Sequence, residues 1–336
     1  MQPQPASENA KTTAGMRSPA MLVADVGGTR ARFALLDDDG APQHLRILAV
    51  EDHAGPVEAI QAYLDELRGA PLHAAAIALA APVDQQVVRL TNAPWVFARA
   101  EIVRRLGLAR LLLVNDFAAL ALALPHLAAA DIRQVGGGAP IERATKAVLG
   151  PGTGLGVSGV CSAHGRWVAL SGEGGHCSLA AADAREAAII ALAWREFGHV
   201  SAERLLSGSG LPLLNRLVAE VDGRPHEVLP NPELVARARA GTDEQCCAVM
   251  STFCAMLGSF AGNLALTLGA SGGVYLGGGI IPRLGDFFDR SDFRSRFAAK
   301  GRFAAYLAAI PTYVVLSPAP ALLGAAHALA ESEGCS

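Results

Sequence analysis

The chain has 336 residues, of which 51% are hydrophobic and 18% charged, and its formal net charge is −3 at pH 7. This length and composition indicate an ordinary soluble globular protein of about two domains. The charge excludes the basic surface expected for nucleic-acid binding or for an anionic membrane, and no run of about 18 uninterrupted apolar residues predicts a membrane span. The six cysteines form no CxxC pair, which favours free thiols in a reducing cytoplasm.

The first part of the chain predicts an antiparallel meander behind a polar leader. Residues 1–20 contain several prolines and serines and lack an apolar core, so we expect no signal peptide. The segment is interpreted as a disordered leader or as a misplaced start, since Met16 and Met21 could also begin the chain. Three short apolar segments follow, and the glycine- and aspartate-rich turns between them are typical of neighbouring antiparallel strands. The predicted strands are 21–24, 31–36 and 45–50.

Alternating strands and helices then complete a first α/β domain. Two nearly unbroken apolar runs are typical of strands buried on both faces, and two helical segments end at glycine, a common helix terminator. The predicted elements are a helix from Pro56 to Gly69, a strand at 74–80, a helix at 101–106 stopped by Gly107, a strand at 111–114 and a helix at 117–127.

The pattern restarts near Lys146 and predicts a second domain. A strand, a Gly-Thr turn and a returning strand over 147–160 repeat the arrangement of 21–36, which we interpret as a weak internal duplication. The last helix is expected to pack back on the first domain. The predicted elements are a turn at 150–154, a strand at 167–170, helices at 183–197, 211–221, 243–268 and 321–331, and strands at 273–276 and 312–316.

Each half carries a glycine-rich turn that suits phosphate. Glycine lets backbone N–H groups approach phosphate oxygens, and Thr29 and Thr153 each add a hydroxyl. Asp25 precedes the first turn, where its carboxylate is placed to hold Mg²⁺ directly or through water. Neither turn matches a Walker or dinucleotide-binding motif, and a plain hairpin turn is the competing interpretation. Together, the two turns favour a phosphate cradle formed by both domains.

Polar residues after strands supply the candidate chemistry. Asn115 and Asp116 follow a buried strand, and a carboxylate there can accept the proton of an attacking hydroxyl. The alternative role for this pair is a helix N-cap. Glu173 and His176 lie in a loop whose glycine pairs disfavour a helix. They suit sugar hydroxyls better than zinc, which needs more ligands. A structural loop whose polar groups are satisfied within the protein is the larger alternative.

Two further segments have simple structural interpretations. Glu203 follows Ser201, which can cap a helix, so the pattern alone favours an ordinary acid in a first helical turn. Gly277, Gly278 and Gly279 follow a buried strand, and they predict either a bare turn or a surface on which a ligand lies against backbone.

Seven short blocks occur in order along about residues 21–330. They are DVGGT at 25–29, LTN at 90–92 with Trp95, NDF at 115–117, GTGLG at 152–156, GEGGH at 172–176, HVSAER at 199–204 with Ser207 and Gly208, and GGGI at 277–280 with Pro282 and Arg283. Together they resemble the bacterial glucokinase family, a branch of the hexokinase and actin-like ATPase superfamily.

The resemblance implies an α/β fold of two RNase H-like (actin-like ATPase) domains, each with a five-stranded sheet, and an interdomain cleft. We expect a small domain of residues 21–127 plus 317–336 and a large domain of residues 128–316. The implied reaction transfers the γ-phosphate of ATP to the 6-hydroxyl of glucose, the first step of glycolysis. The implied protein is a cytoplasmic homodimer that uses Mg²⁺ and binds neither nucleic acid nor membrane.

The resemblance also assigns roles by position. Asp116 matches the family's general base, and the sugar-binding residues match Asn115, Asp116, Glu173, His176 and Glu203. The nucleotide-binding positions are Ala24, Asp25, Val26, Gly27, Gly28, Thr29, Gly152, Thr153 and Gly154, with Gly277, Gly278 and Gly279 on the adenosine side. Asp25 is the candidate Mg²⁺ ligand.

Two positions depart from the family pattern. Arg30 stands where relatives often carry asparagine, and Pro151 stands where a smaller residue is commoner and stiffens the second turn. The alternatives are a kinase for another hexose or an amino sugar, a non-catalytic sugar sensor, and a filament-forming ATPase. The presence of Asp116 and of both turns argues against a sensor, and the sugar-binding blocks would have no use in a filament-forming ATPase.

Overall fold

The structure, a computed structural model, describes residues 20–67, 71–90 and 93–333. The predicted leader falls outside this range except for Ala20, and so do Gly69, the predicted end of the first helix, and Thr91 and Asn92 of the second block. The strands are β1 (Ala20–Val26), β2 (Arg30–Leu36), β3 (Pro42–Ala49), β4 (Leu72–Leu79), β5 (Val87–Arg89), β6 (Val96–Ala98), β7 (Arg110–Asn115), β8 (Ile132–Gln134), β9 (Lys146–Pro151), β10 (Leu155–Ala163), β11 (Arg166–Leu170), β12 (Val274–Leu276) and β13 (Thr312–Val315).

The helices include several short ones in the second half of the chain. They are α1 (Pro56–Glu66), α2 (Arg99–Leu106), α3 (Asp116–Ala123), α4 (Ala184–Trp194), α5 (Ala202–Leu205), α6 (Leu211–Asp222), α7 (Asn231–Ala240), α8 (Glu244–Leu268), α9 (Ile280–Leu284), α10 (Asp286–Asp289), α11 (Phe293–Ala298), α12 (Ala304–Ala309) and α13 (Pro320–Glu333).

The first sheet has the strand order β3-β2-β1-β4-β7. Strands β1, β2 and β3 form the predicted antiparallel meander, whereas β4 and β7 run parallel to β1. Strand β4 is apolar on both faces because both are covered. Ala75 and Ile77 pack in the core that contains α1, and Ala74 and Ala76 pack against α13. The predicted return of the last helix to the first sheet is therefore confirmed.

The second sheet repeats this arrangement and adds one strand. Its order is β11-β10-β9-β12-β13-β8, with an antiparallel meander of three strands followed by two parallel strands. The inferred duplication is thus visible in the topology. The expectation of five strands per sheet holds for the first sheet and is wrong for the second, because β8 pairs antiparallel with β13. Three residues are too few to reveal a strand period.

The predicted helix over 117–127 is too long. Helix α3 ends at Ala123, and Leu124–His126 continues as a 3-10 turn. Pro125 explains the change, since it lacks the N–H that an α-helix would need there and its ring crowds the preceding turn. The predicted helix over 183–197 also ends early, at Trp194.

Helix α8 lies at the centre of the second core. By length and composition it could cross a membrane, but 78% of its most apolar window is buried inside the protein. Met250, Phe253 and Leu257 are fully buried in one cluster with residues of the second sheet and the surrounding helices. Its apolar character is accounted for by this packing, as in a helix that is buried on all sides.

Helix α3 joins the two halves of the molecule. It packs against β9, β10 and β11 of the second sheet and against α13, which covers the first sheet. Gly324 in α13 makes the helix crossing close, since a Cβ at this position would lie 1.7 Å from the backbone oxygen of Ala119. The residues at the start of α3 are therefore fixed relative to both sheets.

Candidate functional site

The first glycine turn connects β1 to β2. The N–H of Gly27 donates to the backbone oxygen of Arg30 across 3.0 Å and closes the turn. Asp25 lies within β1, which continues to Val26 and so passes the predicted strand end. Arg32 donates from Nη1 to Oδ2 of Asp25 at 2.9 Å. Burial nevertheless raises the pKa of Asp25, an effect that Arg32 opposes.

The other residues of this turn differ in what they can contact. Thr29 is exposed, and so is Arg30, which differs from the family pattern. Gly28 is partly buried, so the turn is open to a ligand. Ala24 is different because its side chain is fully buried in the core of the first sheet. Any contact of Ala24 with a nucleotide would therefore have to pass through its backbone, which is paired with the neighbouring strands.

The second glycine turn connects β9 to β10 and is smaller than predicted. Gly150 and Pro151 belong to β9, and the turn consists of residues 152–154, closed by the N–H of Gly152 donating to the oxygen of Gly154 at 2.9 Å. A neighbouring loop stabilises this turn through two hydrogen bonds. Gly208 donates its N–H to the oxygen of Gly152 at 2.8 Å. Ser209 donates its hydroxyl to the oxygen of Thr153 at 2.9 Å, a role that the sequence did not indicate.

Asn115 and Asp116 stand where β7 meets α3. Asn115 is the N-cap, since its Oδ1 accepts from the N–H groups of Phe117 at 3.0 Å and Ala118 at 3.1 Å. The capping interpretation is thus correct for Asn115. Asp116 is the first helical residue, and its Oδ1 accepts from the same Phe117 N–H at 2.9 Å. Capping therefore leaves the second carboxylate oxygen of Asp116 for other partners.

The pKa of Asp116 is raised to about 6. Burial is the largest cause, and the negative charges of Asp25 and Glu173 add repulsion. The carboxylate at the start of α3 thus lies within electrostatic reach of the end of β1 and of the glycine loop before α4. A carboxylate with a pKa near 6 can accept a proton at neutral pH more effectively than an ordinary aspartate.

Glu203 connects the glycine loop to the second turn. It lies in the first turn of α5, whose N-cap is Ser201, as the pattern indicated. Its Oε2 accepts a hydrogen bond from the N–H of Leu155 at 2.8 Å, and its Oε1 lies 3.9 Å from Nδ1 of His176. Glu173 and His176 are exposed, and they lie just before and at the end of the 3-10 turn Gly174–His176. Glu203 thus contacts β10 through one carboxylate oxygen and lies near His176 through the other.

The glycine run after β12 approaches the base of the second turn. Gly277 donates its N–H to the oxygen of Leu149 at 2.9 Å. Gly278 has a φ of +77°, and a Cβ there would lie 2.4 Å from the oxygen of Pro151. Glycine is therefore required by backbone conformation and by space. The structure brings the proposed adenosine side and the second turn together.

The carboxylates near the first turn fit a magnesium ion that arrives with a nucleotide. Mg²⁺ commonly uses one or two carboxylates, several waters and substrate phosphates, and Asp25 and Asp116 offer oxygens of this kind. Arg32 already pairs with one oxygen of Asp25. Among the described residues, no group of three or more His, Cys, Asp or Glu side chains is arranged to hold a metal ion, so the zinc alternative for the glycine loop gains no support.

Two sheets of matching order are joined through α3, and the returning C-terminal helix covers the first of them. This arrangement defines a protein of the actin-like ATPase fold. The family model described as "Glucokinase" matches residues 22–332. A glucokinase of Aromatoleum aromaticum is 53% identical over 310 residues, covering 92% of this chain and 94% of the relative. The chain therefore belongs to the glucokinase family of ATP-dependent sugar kinases.

Solved structures agree with this assignment. A glucokinase from an Antarctic psychrotroph has a TM-score of 0.85 at 34% identity, covering 94% of this chain and 100% of that one. A ROK family glucokinase from Streptomyces griseus, solved with glucose and AMPPNP, has a TM-score of 0.62 at 19% identity, covering 93% and 99%. The second likeness supports the fold alone. Both confirm the predicted α/β class of the actin-like ATPase type.

Proposed function

We propose that the protein transfers the γ-phosphate of ATP to the 6-hydroxyl of glucose, giving glucose 6-phosphate and ADP, and so acts at the first step of glycolysis. Membership of the glucokinase family supports the reaction. The observation that carries the assignment of residues is Asp116. It is a largely buried carboxylate at the start of α3 with a pKa of about 6, and it lies under the influence of both Asp25 and Glu173.

Asp116 acts as the general base. The sugar oxygen attacks the γ-phosphorus, the bond between that phosphorus and the β,γ-bridging oxygen breaks, and the hydroxyl proton passes to the Asp116 carboxylate. Phosphoryl transfer depends mainly on positioning and on charge stabilisation. The Phe117 N–H on Oδ1 restrains the carboxylate, which leaves Oδ2 to receive the proton.

The sugar is held by polar groups around the glycine loop. The carboxylates of Glu173 and Glu203 accept from sugar hydroxyls, while His176 donates. Asn115 contributes its side-chain amide nitrogen as a donor, since its side-chain oxygen is committed to the N-cap. Selectivity follows because an epimer would leave one of these groups unpaired. The proximity of His176 to Glu203, 3.9 Å between ring nitrogen and oxygen, supports a shared role.

The phosphates of ATP lie between the two glycine turns. Backbone N–H groups and hydroxyls of residues 25–29 and 152–154 face the phosphate oxygens, apart from the N–H groups of Gly27 and Gly152, which close the two turns. The 277–279 turn lies on the adenosine side. Mg²⁺ would be held by Asp25, directly or through water, and would neutralise phosphate charge when bound. Arg32 stabilises Asp25 in the absence of the cation.

The remaining assignments concern the whole protein. We propose a small domain of residues 21–127 plus 317–336 and a large domain of residues 128–316, in line with the separate sheets and the packing of α13 on the first one. We further propose a cytoplasmic homodimer, an assignment that rests on the family resemblance.

A sugar panel with ATP and Mg²⁺ tests this function. ADP release is measured with glucose, its C2 and C4 epimers, a ketohexose and an amino sugar. We expect kcat/KM for glucose to exceed that of the C4 epimer by roughly 10²-fold or more. A preference for the amino sugar would assign a different kinase. Glucose binding without ADP release would indicate a sensor, and sugar-independent hydrolysis with assembly would indicate a filament-forming ATPase.

A further inference from the structure

A pair of glycines forms a notch at the base of the second turn. Gly150 in β9 and Gly156 in β10 are direct cross-strand partners. A Cβ at Gly156 would lie 1.9 Å from the Phe117 ring, and its three nearest atoms all belong to that ring. A Cβ at Gly150 would lie 2.7 Å from Cζ of the same ring. The ring of Phe117 therefore rests directly on the backbone of both strands, in what we call the glycine notch (Gly150 and Gly156).

The backbone of Phe117 controls the two residues before it. Its N–H donates to Oδ1 of Asn115 at 3.0 Å and to Oδ1 of Asp116 at 2.9 Å. One residue thus links the side chains at the start of α3 to the strands that flank residues 152–154. A displacement of the ring from the notch would move this N–H and release the Asp116 carboxylate, whereas Asn115 would keep its second hydrogen bond, from the N–H of Ala118 at 3.1 Å.

We propose that Phe117 is a positioning residue that sets the Asp116 carboxylate at a fixed distance from the second glycine turn. This inference rests on the proposed role of Asp116. The base must be aligned with the attacking hydroxyl, and that hydroxyl with the phosphorus held by the second turn, within a few tenths of an ångström, and a misplacement of about 1 Å can lower a rate by about 10²-fold. The notch supplies such alignment because glycine allows the ring to contact backbone, which is stiffer than a side chain.

An ordinary packing role predicts something different. Phe117 also packs against the apolar cluster between α3 and the second sheet, which includes Leu122. If the ring contributed only buried area, its truncation would lower stability and leave the turnover of the folded fraction unchanged. A positioning role predicts a loss in kcat with little change in the KM for glucose.

Phe117→Ala is therefore compared with Leu122→Ala, a truncation on the same helix and in the same cluster. At a temperature where both variants are folded, we expect kcat to fall about 10-fold or more in Phe117→Ala and less than about twofold in Leu122→Ala. The KM for glucose should change less than about twofold in both. Equal kcat losses in the two variants would overturn the positioning role.

Phe117→Ala combined with Asp116→Asn distinguishes the positioning role of Phe117 from the proposed role of Asp116 as the base. If Phe117 acts through Asp116, its removal there should cost less than about twofold in the residual turnover, because effects on one functional unit are not additive. Losses that multiply would overturn the positioning role and leave the base intact. Near-normal turnover of Asp116→Asn alone would instead remove the proposed base, whatever Phe117→Ala does.

A second test adds a methyl group at Gly156 and removes the ring at Phe117. It remains informative even if one of the single variants folds poorly. Gly156→Ala should drive the ring out of the notch and lower kcat, because the added methyl overlaps it. Adding Phe117→Ala removes the overlap, so the double variant should recover a kcat at or above that of Gly156→Ala alone. A double variant whose loss equals the product of the two single losses would contradict the notch contact.

Discussion

Glu203 accepts a hydrogen bond from the N–H of Leu155, with 2.8 Å between Oε2 and the nitrogen. One carboxylate thus touches the strand that leaves the second glycine turn, while its other oxygen lies 3.9 Å from His176. A group proposed to bind sugar is held in place by the element proposed to bind phosphate. The two substrates would then be aligned through a single side chain.

Because of this contact, we expect substitutions of two nearby glycines, Gly152 and Gly154, to affect the KM values of different substrates. A Cβ at Gly154 would lie 2.4 Å from Oε2 of Glu203, whereas a Cβ at Gly152 meets no described atom within 4 Å. Gly154→Ala should displace Glu203 and raise the KM for glucose about 10-fold, on the scale of a lost hydrogen bond to a charged group. Gly152→Ala should mainly raise the KM for ATP, because its methyl points where phosphate would approach.

Steady-state kinetics with each substrate varied in turn measures both effects. Gly198→Ala serves as the control, since a Cβ there also meets no described atom within 4 Å and this residue has no proposed role. Equal changes in both KM values for Gly154→Ala and Gly152→Ala would contradict the division of labour between these positions.

The pH dependence of turnover should report Asp116. Its pKa of about 6 means that the carboxylate is the active base above pH 6 and is protonated below it. The kcat/KM for glucose should fall about tenfold per unit below pH 6 and level off above it. Glu173→Gln removes one of the repelling charges, so the midpoint should move to lower pH even though sugar binding weakens. A midpoint near 4 in the unaltered protein would exclude this assignment.

Burial of the ionised Asp116 carboxylate should lower the free energy of unfolding. Asp116 has a higher pKa when folded than the unfolded value of 3.8. The penalty is therefore absent below pH 3.8 and fully present above about pH 6. Asp116→Asn should raise the free energy of unfolding at pH 8 by on the order of 1–3 kcal/mol, with the gain shrinking toward pH 4. Thermal unfolding at both pH values measures it, and an equal gain at each would show that ionisation is not the cause.

The crossing of α13 and α3 should depend on Gly324. In an exposed helix, Gly→Ala stabilises by about 1 kcal/mol. Here the added Cβ would lie 1.7 Å from the oxygen of Ala119, so Gly324→Ala should destabilise by about 1–3 kcal/mol. Ala330→Ser on the exposed side of α13 should stay within about 0.5 kcal/mol and controls for the helix itself. A stabilised Gly324→Ala would contradict the close crossing.

The elements that the sequence predicts well are those with a local signal. The apolar runs of β1, β4, β7 and β9 are bounded by glycine or polar residues, and α8 has a long uninterrupted pattern. The repeat of strand, Gly-Thr turn and strand predicted an internal duplication, which is visible in the matching strand order of the two sheets. The short elements were missed, among them β8 and helices α9 to α12, because they contain too few residues to establish a period.

The contacts of the candidate site could be predicted only in part. Asn115, Asp116 and the two glycine turns were found because strand ends and glycines mark such positions in the chain. The pairs Glu203 with Leu155 and Phe117 with Gly156 join residues far apart in sequence. No local pattern encodes such pairs, since they arise from the packing of helices on the second sheet. Arg32 was likewise missed as the partner of Asp25.

Asp116 is proposed to be the base of a glucose kinase. The most direct measurement compares Asp116→Asn with the unaltered protein in two assays, glucose binding by calorimetry and ADP release under saturating ATP, Mg²⁺ and glucose. We predict that the Kd for glucose changes by less than about tenfold while kcat falls by about 10²-fold or more. A near-normal kcat in Asp116→Asn would show that Asp116 is not the base.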